Sequence, residues 1–176
     1  MTLMLSAIVL AADRSMPQSA SSEAVVRTLS ALVTAAIEGL VRDVTLACGG
    51  QSLELRKIAD HAGCEIVEAA DPAGAIAAGL ASARGDLLLV LRAGYAPQAG
   101  FIEEIADMFQ RATRPNALRF RTVPDSFLTR LAPGLAPVQG LVAKRAVLDA
   151  KSPDFATLVR RAGAAPTARA RLRRVD

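Results

Sequence analysis

The chain has 176 residues, a formal net charge of +4 and 52% hydrophobic residues; aromatic residues make up only 3% and tryptophan is absent. This length is enough for one domain with a sizeable core, and no apolar run approaches the roughly 18 residues of a membrane-spanning helix. Because aromatic side chains are scarce, few platforms exist on which bases could stack, and we expect no nucleic-acid partner.

The N-terminal segment and the two cysteines bear on the cellular compartment of the protein. The apolar run at residues 3–10 has no basic segment before it and leads into a predicted helix, which favours a core strand. A signal peptide ending near Ala11-Ala12-Asp13 is the alternative. Cys48 and Cys64 are too few for a disulfide framework and lack metal-site spacing. We therefore expect a cytoplasmic protein.

Up to residue 112 the chain alternates short apolar runs with segments of helical periodicity. Predicted strands at residues 3–10, 42–47, 64–68 and 86–91 alternate with predicted helices at residues 23–41, 53–62, 73–83 and 101–111. Ser21 or Ser22 is placed to cap the first of these helices. The alternation predicts an α/β fold with a mostly parallel sheet between helices.

Beyond residue 112 the pattern is less regular, and Pro124, Pro133 and Pro137 interrupt it. Strands are predicted at residues 117–122 and 139–143, and a short helix at residues 144–150. The predicted domain comprises residues 1–163, with a first part at residues 1–112 and a second part at residues 113–163. Residues 164–176 form a basic tail.

The last 17 residues are strongly basic, since residues 160–176 contain six arginines and one acid. This composition favours a solvated or partly disordered tail. The alternatives are contact with an anionic membrane surface or with another polyanion.

Five segments of the chain form an ordered pattern. They are EGLVRDVTLACGGQS, LRKIADHAGCEIVEA, AAGLASARGDLLLVLRAGYAP, VQGLVAKRAVLDA and PDFATLVRRAG. In this order they resemble segments of the family 2 glycosyltransferases. The resemblance runs from about residue 3 to about residue 163, and each motif alone is weak. It implies a GT-A type fold that binds a nucleotide sugar, for example of the UDP type. Residues 1–112 would then be the nucleotide-binding half, and residues 113–163 a reduced acceptor half.

Carried over position by position, the resemblance implies a nucleotide site at the carboxyl ends of the strands. Its candidate residues are Ala11, Asp13, Cys48, Gly49, Arg92 and Gly94. The family's general base belongs to a Glu-Asp pair, which makes Asp154 the catalytic candidate, although Phe155 stands at the second position. The other interpretation of Asp154 is an acid that stabilises the start of a helix.

The family's metal-binding Asp-x-Asp corresponds here to Arg92-Ala93-Gly94, and its base-binding acid corresponds to Cys48. Carboxylates are the usual ligands of a divalent cation, whereas an arginine neutralises phosphate directly. From this the sequence predicts no divalent metal cofactor and metal-independent chemistry, if the protein is active, with Arg92 carrying the charge.

Three functions remain open. The chain is a glycosyltransferase, or a non-catalytic relative acting as a nucleotide-binding or protein-interaction module. The third is a nucleotidyltransferase, suggested by SAIVLAADRS at residues 6–15. The apolar C-terminal part also allows a homodimer.

Overall fold

The computed structural model describes residues 4–12, 20–110 and 115–175. Its strands are β1 (Leu5–Leu10), β2 (Val41–Cys48), β3 (Glu65–Glu68), β4 (Leu87–Arg92), β5 (Tyr95–Pro97), β6 (Ala117–Arg121), β7 (Val138–Lys144) and β8 (Leu172–Arg174). Its α-helices are α1 (Ser22–Ile37), α2 (Leu53–Ala62), α3 (Pro72–Ser82), α4 (Phe101–Gln110), α5 (Phe127–Leu131) and α6 (Phe155–Arg161). Short 3₁₀ helices span Pro133–Leu135 and Arg145–Val147.

A six-stranded sheet in the order β3-β2-β1-β4-β7-β6 forms the centre of the described fold. The first four of these strands are mutually parallel, and β7 runs antiparallel to both of its neighbours. Helices cover both faces: Leu29 and Phe101 pack on one side, and Ile76 and Leu158 on the other. The predicted fold class is confirmed.

Local signals fix the helix ends. Ser21 caps α1 by accepting a hydrogen bond from the backbone N–H of Ala24, and Ser52 caps α2 in the same way through Leu55. Gly63 ends α2 in the left-handed conformation at φ +65°, which glycine adopts at no steric cost. Ser21 and Ser52 thus begin the helices that follow β1 and β2, and Gly63 leads into the start of β3.

Two corrections concern the C-terminal third. The segment predicted as a helix at residues 144–150 is a 3₁₀ turn instead. There Arg145 donates hydrogen bonds to the carbonyl oxygens of Leu80, Ala83 and Gly85. Helix α5 was not predicted, because its five residues are too few to show a helical period.

The expectation that the basic tail is solvated is wrong for residues 164–175. Strand β8 pairs antiparallel with β5, and Leu172 is fully buried in the main core cluster. The carboxylate of Glu104 accepts hydrogen bonds from the backbone N–H groups of Arg169 and Ala170, at 2.7 and 2.6 Å. Ala168 and Leu172 are buried, whereas Arg169, Arg173 and Arg174 are exposed. Arg171 is half-buried, and its Nη1 atom lies inside the protein.

Among the described residues, no helix combines the length and apolar character needed to cross a bilayer.

Candidate functional site

The carboxyl ends of β1, β2 and β4 lie side by side at one edge of the sheet, which we call the ligand edge. Leu10 pairs with Ala47 of β2 and with Arg92 of β4, so the residues that follow these strands are neighbours. The chain leaves β1 toward β2 on one side, while β4 lies on the other. In open α/β sheets, such a reversal of strand order is where ligands bind.

A cleft of about 220 Å³ opens at this edge, and we refer to it as the ligand cleft. Its walls are mostly small residues from the ends of β1 and β2 and the starts of α1 and α2. They are Ala11, Ala12, Ala20, Ser22, Cys48, Gly49, Gly50, Gln51, Ser52 and Leu55. The short side chains leave the backbone accessible to a flat ligand.

The turn after β2 forms one wall of the ligand cleft and is held from two sides. A Cβ atom on Gly49 would lie 2.8 Å from the backbone nitrogen of Pro72, so only glycine fits there. Glu68, at the end of β3, accepts hydrogen bonds from the backbone N–H of Ser52 at 3.1 Å and from Nε of Arg56 at 3.0 Å. The hydrogen bond from Arg56, followed by that from Ser52, keeps the pKa of Glu68 below its usual value.

Cys48 lies at the base of this wall and is buried. Burial, and then the nearby charge of Glu68, raises the pKa of its thiol to about 11. The thiol is therefore neutral at physiological pH, which does not suit a nucleophile. Cys48 lines the ligand cleft as a small apolar group.

At the end of β4, Arg92 is half-buried and donates from Nη1 to Oε1 of Gln139 on β7, at 2.8 Å. Gly94 has its polar backbone atoms engaged within the protein. Its N–H donates to Oγ1 of Thr28 at 3.0 Å, and its carbonyl accepts from the N–H of Val175 at 2.8 Å. The structure thus brings Arg92 to the ligand edge but uses Gly94 to join β4 to α1 and the C-terminal segment.

Asp154 is the N-cap of α6, and its Oδ1 accepts a hydrogen bond from the backbone N–H of Thr157 at 2.6 Å. It does not line the ligand cleft as the described residues define it. Phe155, which stands at the second position of the family's acidic pair, is 1% exposed and packs in the core.

The structure brings together Ala11, Cys48 and Gly49 in the ligand cleft and places Arg92 at the same sheet edge. Asp13 lies outside the described residues. Sequence reasoning did not identify the other lining residues, which are Ala12, Ala20, Ser22, Gln51, Ser52 and Leu55. The polar pair Gln51-Ser52 directly after Gly49-Gly50 was the available signal.

No family model and no curated protein matches the chain. Among solved structures, glucosyl-3-phosphoglycerate synthase from Mycobacterium tuberculosis with phosphoglyceric acid is similar, with a TM-score of 0.65 at 14% identity over 98% of this chain and 72% of that chain. The same enzyme with Mn²⁺, UDP-glucose and phosphoglyceric acid has a TM-score of 0.64 at 15% identity, with the same coverage. With Mg²⁺ and UDP, it has a TM-score of 0.58 at 17% identity, over 99% of this chain and 72% of that chain.

These structures correct the prediction of no divalent cofactor, because they contain Mn²⁺ or Mg²⁺ together with UDP or UDP-glucose. The prediction assumed that a divalent cation would need carboxylate ligands at residues 92–94, where the chain has none. Such cations, however, take many of their ligands from phosphates and water.

Across residues 4–12, 20–110 and 115–175, no group of three or more His, Cys, Asp or Glu side chains could hold a metal ion. Arg92, Ala93 and Gly94 supply no side-chain oxygen ligand. These residues do not fit a cation at the end of β4, and we assign it no position in this chain.

The sheet order, the two helical layers and the similarity over nearly the whole chain lead to one conclusion about architecture. The chain has the fold of the GT-A type glycosyltransferases.

Proposed function

We propose that the chain binds the nucleotide of a nucleotide sugar, of the UDP type, in the ligand cleft. The observation that carries the proposal is the position of this cleft, at the carboxyl ends of β1 and β2 beside the reversal of strand order. The similar structures that contain UDP support it, since they share the fold.

The walls of the ligand cleft suit a flat base and a ribose. Ala11, Ala12 and Gly49 allow close approach to the main chain, and Gln51 offers both a donor and an acceptor. In this proposal main-chain groups bind the base. They take the role of the family's base-binding acid, at whose position this chain has Cys48.

The diphosphate extends from the ligand cleft toward the end of β4. Arg92 stands there with a permanent positive charge, and its guanidinium can form paired hydrogen bonds with phosphate oxygens. Gln139 orients this side chain through the 2.8 Å hydrogen bond. Arg92 is therefore the residue proposed to contact the diphosphate.

A second function, nucleotide binding without sugar transfer, is favoured by one observation. The carboxylate of Asp154 is engaged in capping α6, and Phe155 is buried in the core. Asp154 stays a prediction as the general base of an active enzyme.

Calorimetric titration with UDP in buffer containing Mn²⁺ tests nucleotide binding. Gln51→Trp fills the ligand cleft and is expected to weaken binding at least about tenfold. Gln98→Trp is the matched control, because Gln98 is also exposed but lies near Glu38 and Thr34 at the far end of α1. Absence of UDP binding, or equal losses in both variants, would overturn the proposal.

A parallel titration with EDTA in place of Mn²⁺ measures whether a cation contributes to the affinity. Release of UDP from UDP-glucose, compared between the wild type and Asp154→Asn, separates the two functions. Turnover that the variant abolishes supports transfer with Asp154 as base, whereas binding without turnover supports the non-catalytic function.

A further inference from the structure

Helix α5 and the 3₁₀ turn after it expose four large apolar side chains, which we call the α5 patch. Phe127 is 75% exposed, Leu131 70%, and Leu128 and Leu135 68% each. No residue of α5 is buried, although the structure describes the helix in full. A contiguous exposed apolar patch of this kind marks an interaction surface.

The shape of the α5 patch is maintained by local caps rather than by packing. Ser126 and Thr129 form a reciprocal capping box at the start of α5. At the base of the patch, buried Ala136 accepts a hydrogen bond from Nη1 of Arg121, at 2.5 Å. Short helices without packing are marginal in water. The apolar side chains of the α5 patch therefore do not pack in the core. Only a binding partner or a membrane could bury them.

The α5 patch lies at the same edge of the sheet as the ligand cleft. Since β4 and β6 are both antiparallel to β7, β6 runs parallel to β4 and ends at the ligand edge. Helix α5 follows the end of β6 within a few residues. Ile37, which is 81% exposed, ends α1 at the opposite edge.

Three exposed arginines belong to α5 and to β8, the strand beside the segment that leads into α5. Arg130 lies within α5, and the exposed Arg173 and Arg174 belong to β8. The backbone N–H of Val123 donates to the carbonyl of Leu172 at 2.9 Å, which places the segment leading into α5 beside β8. Asp125 is the acid in this leading segment.

We propose that the α5 patch docks on an anionic lipid membrane surface, with the ligand edge of the sheet toward the bilayer. Phe and Leu side chains with nearby arginines are the composition of interfacial segments, which combine apolar burial with attraction to anionic headgroups. A second copy of the chain fits less well, because a two-fold contact through the α5 patch would bring Arg130 close to its own equivalent. This proposal does not depend on nucleotide binding.

Flotation with phosphatidylcholine vesicles, with and without phosphatidylglycerol, tests the proposal on the full chain at low salt. The wild type is expected to float with the anionic vesicles. The double variant Phe127→Ser/Leu131→Ser is expected to lose at least about tenfold in vesicle affinity. Arg130→Gln is expected to lose about fivefold, on anionic vesicles only.

Val33→Ser/Ile37→Ser is the matched control, since it removes two exposed apolar residues of α1 and should bind like the wild type. Circular dichroism confirms that each variant is folded. The proposal is overturned if the wild type floats with neither kind of vesicle. It is equally overturned if Phe127→Ser/Leu131→Ser and Val33→Ser/Ile37→Ser bind vesicles with the same affinity. It is also overturned if light scattering shows a dimer that Phe127→Ser/Leu131→Ser dissociates while vesicle binding is absent.

Discussion

Leu172 lies directly against Gly140: a Cβ atom on Gly140 would come within 2.9 Å of Cδ1 of Leu172. Residues 32 positions apart in the sequence thus interlock, with a side chain from β8 seated where β7 has none. The glycine creates the space, and the leucine ties the arginine-rich C-terminal segment to the core. The basic composition of that segment therefore does not show that it is solvated, because Leu172 packs in the core.

The first prediction concerns this contact. Leu172→Ala is expected to lower the free energy of unfolding by about 2–5 kcal/mol, because a fully buried side chain is lost and a cavity remains. Urea unfolding followed by circular dichroism measures the change. Leu131→Ala, at a site 70% exposed, is the control and should stay within about 0.5 kcal/mol of the wild type. Equal effects in the two variants would show that β8 does not contribute to the core.

A second prediction follows from the raised pKa of Cys48. The pKa of the Cys48 thiol is about 11 in the native state, whereas its value in the unfolded state is near 9.0. Between these values the unfolded state loses its proton first, so stability falls as pH rises through this window. Urea unfolding at a series of pH values measures the slope.

Cys48→Ala should flatten this slope but not abolish it, because burial also raises the pKa of Cys64. Iodoacetamide labelling near neutral pH should accordingly be slow in the native protein and fast in urea. Rapid labelling of native Cys48 would contradict the account.

A third prediction concerns Glu68, which holds the turn beside the ligand cleft. Its lowered native pKa means that its contribution to stability is present above the usual value of 4.5 and is lost as pH falls through the native pKa. Glu68→Gln is expected to remove this acid dependence and to weaken UDP binding a few-fold, because the Ser52 backbone loses its charged acceptor.

Urea unfolding at a series of acidic pH values and calorimetric titration with UDP measure these two effects of Glu68→Gln. Glu65→Gln, an exposed acid on the same strand, is the control and should change neither quantity. If Glu65→Gln weakened UDP binding as much as Glu68→Gln, general surface charge would be the cause instead.

A fourth prediction concerns Asp154. Because its Oδ1 caps α6, Asp154→Ala should cost about 1 kcal/mol of stability, whereas Asp154→Asn should retain the cap. Thermal unfolding distinguishes the two variants. Should asparagine destabilise as much as alanine, the negative charge at the helix start, rather than the capping hydrogen bond, would be the important interaction.

The sequence predicted the elements whose signals are local. Helix α2 spans Leu53–Ala62 as expected, because Ser52 and Gly63 mark both of its ends. The apolar run before Arg92 predicted β4 because it is buried on both faces. Strands β5 and β8 were missed, since three residues including Pro97 gain strand character only by pairing with a segment about 75 residues later in the chain.

The sequence also placed part of the candidate site at one edge of the sheet, and the nucleotide-binding role of these residues stays a prediction. Strand ends placed Ala11, Cys48, Gly49 and Arg92 at one edge, as parallel strands must. The engagement of Gly94 with Thr28 and Val175 depends on tertiary contacts that no local pattern reports. The cytoplasmic location, the homodimer and the division at residue 112 stay predictions.

The most direct test of the central claim is an amide chemical-shift titration of the isotope-labelled protein with UDP in the presence of Mg²⁺. The account predicts the largest shifts at Ala11, Ala12, Gly49, Gly50 and Gln51, with small shifts at Gly100 and Phe101 on the far side of α1. Shifts confined to other surfaces, or no shifts at all, would contradict nucleotide binding in the ligand cleft.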